Sequence, residues 1–258
     1  MSRLRRFTIA PDRLAGDRVA FDHAETRHLA AVLRLGPGDL VVAADGRGRA
    51  YTVRIEALGD TATGTIVGMA TSRAEPALAV TLIQGVPKGD KMEAIVRAGT
   101  ELGLTRIAPA LTARTVVRLE ASRWRERARR WQRVAKEAAK QCGRAVIPDV
   151  EMPRPLLDWV EAPVAGDLAL CLWEGQATPL DEILSAWPRP PARAHVIVGP
   201  EGGLSRDEVD MIRARGFEVV SLGPRILRTE TAAAAILSIL QFRLGDLGRA
   251  AAPALGDA

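Results

Sequence analysis

The stretch from His195 to Gln241, HVIVGPEGGLSRDEVDMIRARGFEVVSLGPRILRTETAAAAILSILQ, holds two strand-to-helix crossings in succession. The apolar run His195 to Val198 reads as a strand that ends in the turn Gly199-Pro200-Glu201-Gly202-Gly203. Ser205 with Glu208 three residues on has the spacing of a capping box, so a helix starts there. Phe217 to Leu222 is a second, β-branched strand, which ends in Gly223-Pro224. Arg228 and Glu230 follow, at the start of an alanine-rich helix. Glycines and charged groups thus gather at the carboxyl ends of two strands, the edge at which open α/β sheets bind ligands. The pattern predicts an α/β domain with its site at these two turns.

Upstream the alternation continues. Leu78 to Gln84, Arg106 to Leu111 and Leu168 to Trp173 read as strands, and Lys91 to Leu102 as a helix with Ile95, Ala98 and Leu102 at helical spacing. A long helix from about Ala121 to Cys142 carries an apolar seam of Trp124, Ala128, Trp131, Ala135, Ala138 and Cys142, in steps of four and three. Arg133, Glu137, Gln141 and Arg144 fall near its other side. Strands alternating with helices imply a mainly parallel sheet covered on both faces. The proline-rich Trp187 to Ala192 reads as a surface loop.

The first seventy residues differ. Phe7 to Ala10, Leu40 to Ala44, Tyr51 to Leu58 and Thr61 to Met69 are strand-like, and Asp45-Gly46-Arg47-Gly48 is a hairpin connection. A helix is expected over Ala24 to Leu35, carrying His28 and Arg34. The polar Ser72 to Pro76 marks a boundary, giving a β-rich domain over 1–73, an α/β domain over 74–250 and a tail over 251–258.

The 258 residues are 47% hydrophobic, enough for full cores, and no apolar run reaches membrane-spanning length. The basic start Met1 to Phe7 lacks the apolar segment of a secretory signal, and two cysteines are too few for a disulfide framework. These features point to a cytoplasmic protein. His23, His28 and His195 are scattered, so no metal site is expected. A net charge of +5 suits a polyanionic partner, although arginine-rich composition alone would produce the same sum.

The turn at 199–203 lacks the GxGxxG spacing of a dinucleotide fingerprint and the Lys-Ser/Thr of a P-loop. Glycine-rich turns let the backbone approach a ligand, and two of them could hold an adenosine-like group with Leu222, Ile226 and Leu227 as apolar walls. Glu201, Arg228 and Glu230 are the charged groups there. Each has a plainer reading: Glu230 as a carboxylate at a helix start, Arg228 in an ion pair with either acid. Lys88 and Lys91, in Gly85-Val86-Pro87-Lys88-Gly89-Asp90-Lys91, could meet phosphate or merely be solvated. No nucleophile pattern appears; Ser205 reads as a cap, and Cys142 and His195 as structural.

Together these residues resemble a known family. Gly85 to Lys91, Glu101-Leu102-Gly103, Glu137 to Arg144, Gly199 to Gly203, and Leu222-Gly223 with Ile226 to Ala232 are similar to motifs of the bacterial 16S ribosomal RNA uridine-N3 methyltransferases, of the SPOUT superfamily. The resemblance covers nearly the whole chain, including His28 and Val32-Leu33-Arg34. Lys140 and Cys142 depart from it, an acidic residue or glutamine and a serine being more usual there. It implies an N-terminal PUA-like barrel, a C-terminal domain with a deep trefoil knot, S-adenosylmethionine as cofactor and a homodimer. The cofactor residues would be Leu172, Trp173, Glu174, Gly199, Pro200, Glu201, Gly202, Leu222, Gly223, Ile226, Leu227, Thr231 and Ala232. Arg228 would stabilise charge on the uracil, and Glu230 or Glu201 would take the N3 proton. Contacts to 16S ribosomal RNA, free or in the assembled small subunit, would come from Arg5, Arg6, Arg27, His28, Arg34, Lys88, Lys91, Arg133, Gln141 and Arg144. Rival readings are another SPOUT reaction such as ribose 2′-O methylation, a catalytically silent RNA-binding factor, and a dehydrogenase, the last disfavoured by the missing fingerprint.

Overall fold

The computed structural model describes residues 4–70, 75–187 and 190–249, in two compact units. The boundary expected near 73, part of the proline-rich loop and the tail over 251–258 lie outside the described residues.

The first unit includes the described residues up to Glu75 together with Lys136–Ile147. Its strands are β1 (Arg6–Thr8), β2 (Leu14–Ala15), β3 (Arg18–Ala20), β4 (Leu40–Ala44), β5 (Ala50–Ala57) and β6 (Thr63–Ala70). They form a curled mixed sheet in the order β1-β4-β5-β6-β3-β2, with β1 parallel to β4 and the other pairs antiparallel. Phe7, Phe21, Leu29, Val41, Val53 and Ile55 fill its core. The hairpin β4–β5 has the expected connection, in which the Asp45 carboxylate accepts from the amides of Arg47 and Arg49.

The expected helix over Ala24 to Leu35 is shorter and irregular. It comprises α1 (His23–Arg27), capped by the Asp22 carboxylate, and a π-helical turn over His28–Val32. Arg34 lies beyond it, in the left-handed region at φ 54°. Within the π turn Leu29 is buried in the core and Val32 is exposed.

Burial of a carboxylate requires partners. Glu25 is 2% exposed and accepts from Thr8 Oγ1 at 2.7 Å and Lys140 Nζ at 3.2 Å, with Lys136 Nζ at 3.3 Å. Burial alone would lower the pKa of Lys140, but Glu137 and Glu25 outweigh it and hold the ammonium above its ordinary value. Arg144 is likewise 3% exposed and ion-paired to Glu75 at 3.0 Å. The RNA contact expected of Arg144 is therefore corrected to a structural ion pair, since a buried guanidinium cannot offer its face to a ligand.

The second unit comprises Pro76–Ala135 and the described residues from Pro148 to Arg249. Its strands are β7 (Ala79–Gly85), β8 (Leu104–Leu111), β9 (Asp149–Val150), β10 (Arg154–Pro155), β11 (Leu168–Leu172), β12 (Thr178–Pro179), β13 (Arg193–Val198) and β14 (Glu218–Ser221). All pair in parallel, in the order β10-β8-β7-β13-β11-β14-β12, with β9 beside β8. Parallel pairing needs crossovers. These include α2 (Lys91–Glu101), α3 (Ala121–Cys142), α4 (Leu180–Ala186) and α5 (Arg206–Ala214), and α6 (Thr229–Arg243) packs against α2.

The apolar face of α2 is Met92, Ile95, Val96 and Gly99, so the expected seam through Ala98 and Leu102 is displaced by part of a turn. Trp124, Ala128, Trp131, Ala135 and Ala138 of α3 are buried as expected, whereas Cys142 is only partly so. The capping box forms: Glu208 N donates to Ser205 Oγ, and Ser205 N to the Glu208 carboxylate.

Glu25→Gln should lower the unfolding free energy by about 3 kcal/mol, because Lys136 and Lys140 both lose their buried counter-charge and Lys140 keeps only the largely exposed Glu137. Urea denaturation measures this. In the wild type the Lys140 contribution is complete below its ordinary value of 10.5 and is lost as pH rises through the higher folded value.

Candidate active site

Strands β7, β11, β13 and β14 end at one edge of the parallel sheet, and their following loops meet there. The chain crosses from β7 outward to β8 and later returns on the other side through β13, which creates the crevice of a topological switch point. Because Gln84 pairs with Val198, the turns at Gly85 and Gly199 lie side by side. A Cβ on Gly85 would fall 2.4 Å from Pro200 Cδ, so the close approach requires glycine. Gly203 sits at φ 70°, in the left-handed region that favours glycine, and its amide closes the turn onto Pro200 O at 2.9 Å.

A side-chain network ties the loops together. Gln84, fully buried in β7, donates from Nε2 to Thr229 Oγ1 at 2.9 Å and to Gly85 O at 2.9 Å. Thr229 in turn donates to Gly199 O at 2.6 Å. The start of α6 is thereby fastened to the turn after β13.

Between the loops lies a cavity of about 910 Å³. Its lining includes Leu172, Trp173, Glu174, Gly199, Pro200, Glu201, Gly202, Leu222, Gly223, Ile226, Leu227, Arg228 and Ala232. Of the residues expected at a ligand site, Thr231 and Glu230 are not part of this lining. Thr231 is exposed on α6, and Glu230 occupies its first turn. Ile226 lines the cavity yet is 88% exposed, so it is an open rim rather than a closed wall.

The charges are arranged unequally. Lys91 Nζ is 2.8 Å from Glu201 Oε1 and 4.0 Å from Glu230 Oε2, and the Lys88 amide also donates to Glu201 at 3.1 Å. Partial burial would raise the pKa of Glu201, but the hydrogen bonds from Lys91 and from the backbone amides prevail and hold it below the ordinary value. The plainer alternative for Arg228, an ion pair with Glu201 or Glu230, does not form; Lys91 takes that place. Among the described residues Arg228 has no carboxylate partner and is exposed at the cavity. Burial pushes the Cys171 thiol up to about 12, so it holds no thiolate at neutral pH.

The candidate RNA contacts are spread over both units. Arg5, Arg27, Arg34 and Gln141 are exposed, and Arg6 and His28 half-buried, in the first. Lys88 and Arg133 are exposed and Lys91 is ion-paired in the second. Two residues went unread in the sequence. Gln84 was legible only as one polar residue in an apolar strand, and Arg114, which donates to Gly202 O at 2.7 Å, carried no signal.

Residues 74–241 match the RNA methyltransferase domain family, and residues 21–66 its RNA methyltransferase PUA domain. The ribosomal RNA small subunit methyltransferase E of Synechocystis is 36% identical over 88% of this chain and 74% of its own. That of Bacillus subtilis is 30% identical over 85% of this chain and 88% of its own. The chain belongs to the ribosomal RNA small subunit methyltransferase E family. A crystal structure of the family member from Neisseria gonorrhoeae, bound to S-adenosyl methionine, matches 95% of this chain and all of its own, with a TM-score of 0.85 at 31% identity. Family membership fits both units: a PUA domain in the first, and in the second the parallel sheet with its cavity.

Thr229→Val should destabilise the chain by about 2 kcal/mol, because it strips the buried Gly199 carbonyl and Gln84 amide of a partner, while Thr229→Ser should cost far less. Thermal or urea denaturation of the pair measures the difference. The Glu201 contribution, present above its ordinary value of 4.5, is lost as pH falls through the lowered folded value.

Proposed function

We propose that this chain transfers a methyl group from S-adenosylmethionine to N3 of a uridine in 16S ribosomal RNA. The enzyme class and the cofactor follow from family membership and from the likeness to a structure solved with S-adenosyl methionine. The choice of N3 rests on the motif resemblance. One observation carries the active reading: a glycine-walled cavity at the switch point with an unpaired arginine at its rim.

The cavity suits a nucleoside with a cationic centre. It offers close backbone approach at Gly199, apolar surface from Leu172, Leu222 and Leu227, and the carboxylates of Glu174 and Glu201. When bound, the cofactor supplies an electrophilic methyl carbon. The chain must orient the uracil and manage the N3 proton, whose loss leaves negative charge on the flanking carbonyl oxygens. Arg228 is assigned to those oxygens, since no protein carboxylate competes for its donors. Glu201, with lowered proton affinity and several donors, is suited to holding Lys91. Glu230, next to the cavity-lining Thr229 and with a partly exposed side chain that makes only a long 4.0 Å ion pair to Lys91, is assigned as the proton acceptor.

RNA contacts are assigned to residues 1–73, with Arg5, Arg6, Arg27, His28 and Arg34, and methyl transfer to 74–250, where Lys88, Arg133 and, from the end of α3, Gln141 add contacts. The resemblance further supports a trefoil knot, a homodimer with each site near the partner, and a cytoplasmic setting.

The test incubates the protein with methyl-labelled S-adenosylmethionine and small ribosomal subunits from a strain lacking the activity, followed by nucleoside analysis. Label in 3-methyluridine is expected; label in a 2′-O-methylated nucleoside would overturn the N3 assignment. Arg228→Ala should lower the methylation rate about 100-fold with little change in cofactor affinity. Glu230→Gln should lower it by about 10²-fold or more, and Glu201→Gln much less. Equal losses for the two glutamates would remove Glu230 as the base.

A further inference from the structure

We infer that Arg114 is a substrate-positioning residue, whose guanidinium braces the cofactor turn through Gly202 and offers its remaining donors to a phosphate of the incoming RNA. The inference rests on the reading of the chain as an RNA methyltransferase and adds a contact that neither the motifs nor the electrostatics of the cavity supply.

The turn carrying Arg114 follows β8 and is held at several points. Thr112 N donates to Thr115 Oγ1 at 2.9 Å, and Thr115 N returns to Thr112 O at 3.1 Å. Ala113 N donates to Glu208 Oε1 at 2.7 Å, while the other oxygen of that carboxylate caps α5. One carboxylate, 7% exposed, therefore fixes both the Arg114 turn and the helix that follows the 199–203 turn. Arg114 Nη1 then donates to Gly202 O at 2.7 Å. Gly202 packs closely on this stem: a Cβ there would lie 3.2 Å from Arg114 Cβ, a tight contact.

A guanidinium has five N–H donors. Among the described residues, Gly202 O is the acceptor Arg114 reaches, no carboxylate pairs with it, and the residue is exposed. A brace alone would need one neutral donor. Instead a permanently charged, planar fork stands on a rigid turn against a cavity-lining residue, the arrangement that suits bidentate binding of phosphate. By contrast, two arginines of this unit, Arg106 and Arg130, are spent on carboxylates, Glu151 and Glu93. The ligand class is a phosphodiester of the RNA strand that carries the target base.

The test compares wild type, Arg114→Ala and Arg114→Lys in binding to small ribosomal subunits lacking the modification, over a series of salt concentrations. Affinity for S-adenosylmethionine is measured alongside. Arg114→Ala should weaken subunit binding about tenfold at low salt, the loss of one charge-assisted hydrogen bond. It should reduce the slope of log affinity against log salt by about 1. Arg114→Lys, which keeps the charge, should retain the slope and recover part of the affinity. An unchanged slope in Arg114→Ala, with only cofactor affinity reduced, would make Arg114 a brace and overturn the phosphate contact. Wild-type protein that binds subunits without salt dependence would overturn both this inference and the RNA-binding reading beneath it.

Discussion

The hydrogen-bonded chain from Gln84 through Thr229 to Gly199 is the constraint around which the site is organised. Parallel strands bring their carboxyl ends to one edge, but backbone pairing stops where the strands stop. Beyond that edge the loops must find other partners, because buried carbonyls and amides left unpaired cost about 1–3 kcal/mol each. Gln84 and Thr229 satisfy that demand in the second unit, and in doing so set the start of α6 beside the turn after β13. The cavity is the space that remains between loops held in this way.

Electrostatics builds on the same frame. Lys91 begins α2 directly after the β7 turn, so the strand that carries Gln84 also delivers the ammonium to Glu201 and Glu230. With that cation between the two acids, Arg228 is left without a protein counter-charge. An arginine kept unpaired beside the cavity is available to charge on a ligand, whereas one in an ion pair is not. Glu208 makes a comparable double use of one side chain, capping α5 and anchoring the turn of Arg114.

Much of this organisation was readable in the chain. The alternation of strands and helices, the glycine turns and the Ser205–Glu208 box are local signals, decided by residues three or four apart. The long seam of α3 was read almost to its end. Failures came where the local signal was overruled. A uniform helix over Ala24 to Leu35 gave way to a short α-helix, a π turn and, at Arg34, a left-handed residue. Arg144, expected as an RNA contact, is buried and ion-paired to Glu75, which is distant in sequence.

The sequence alone thus settles which segments become strands and helices, that the sheet is parallel, and that two glycine turns mark its ligand edge, since these follow from periodicity and backbone freedom over short spans. Folding in three dimensions settles the rest: that Lys91 rather than Arg228 pairs with the glutamates, that Gln84 reaches Thr229, and that Arg114 meets Gly202. Each is a contact between residues tens of positions or more apart. Its occurrence depends on strand order and register, which no local pattern encodes.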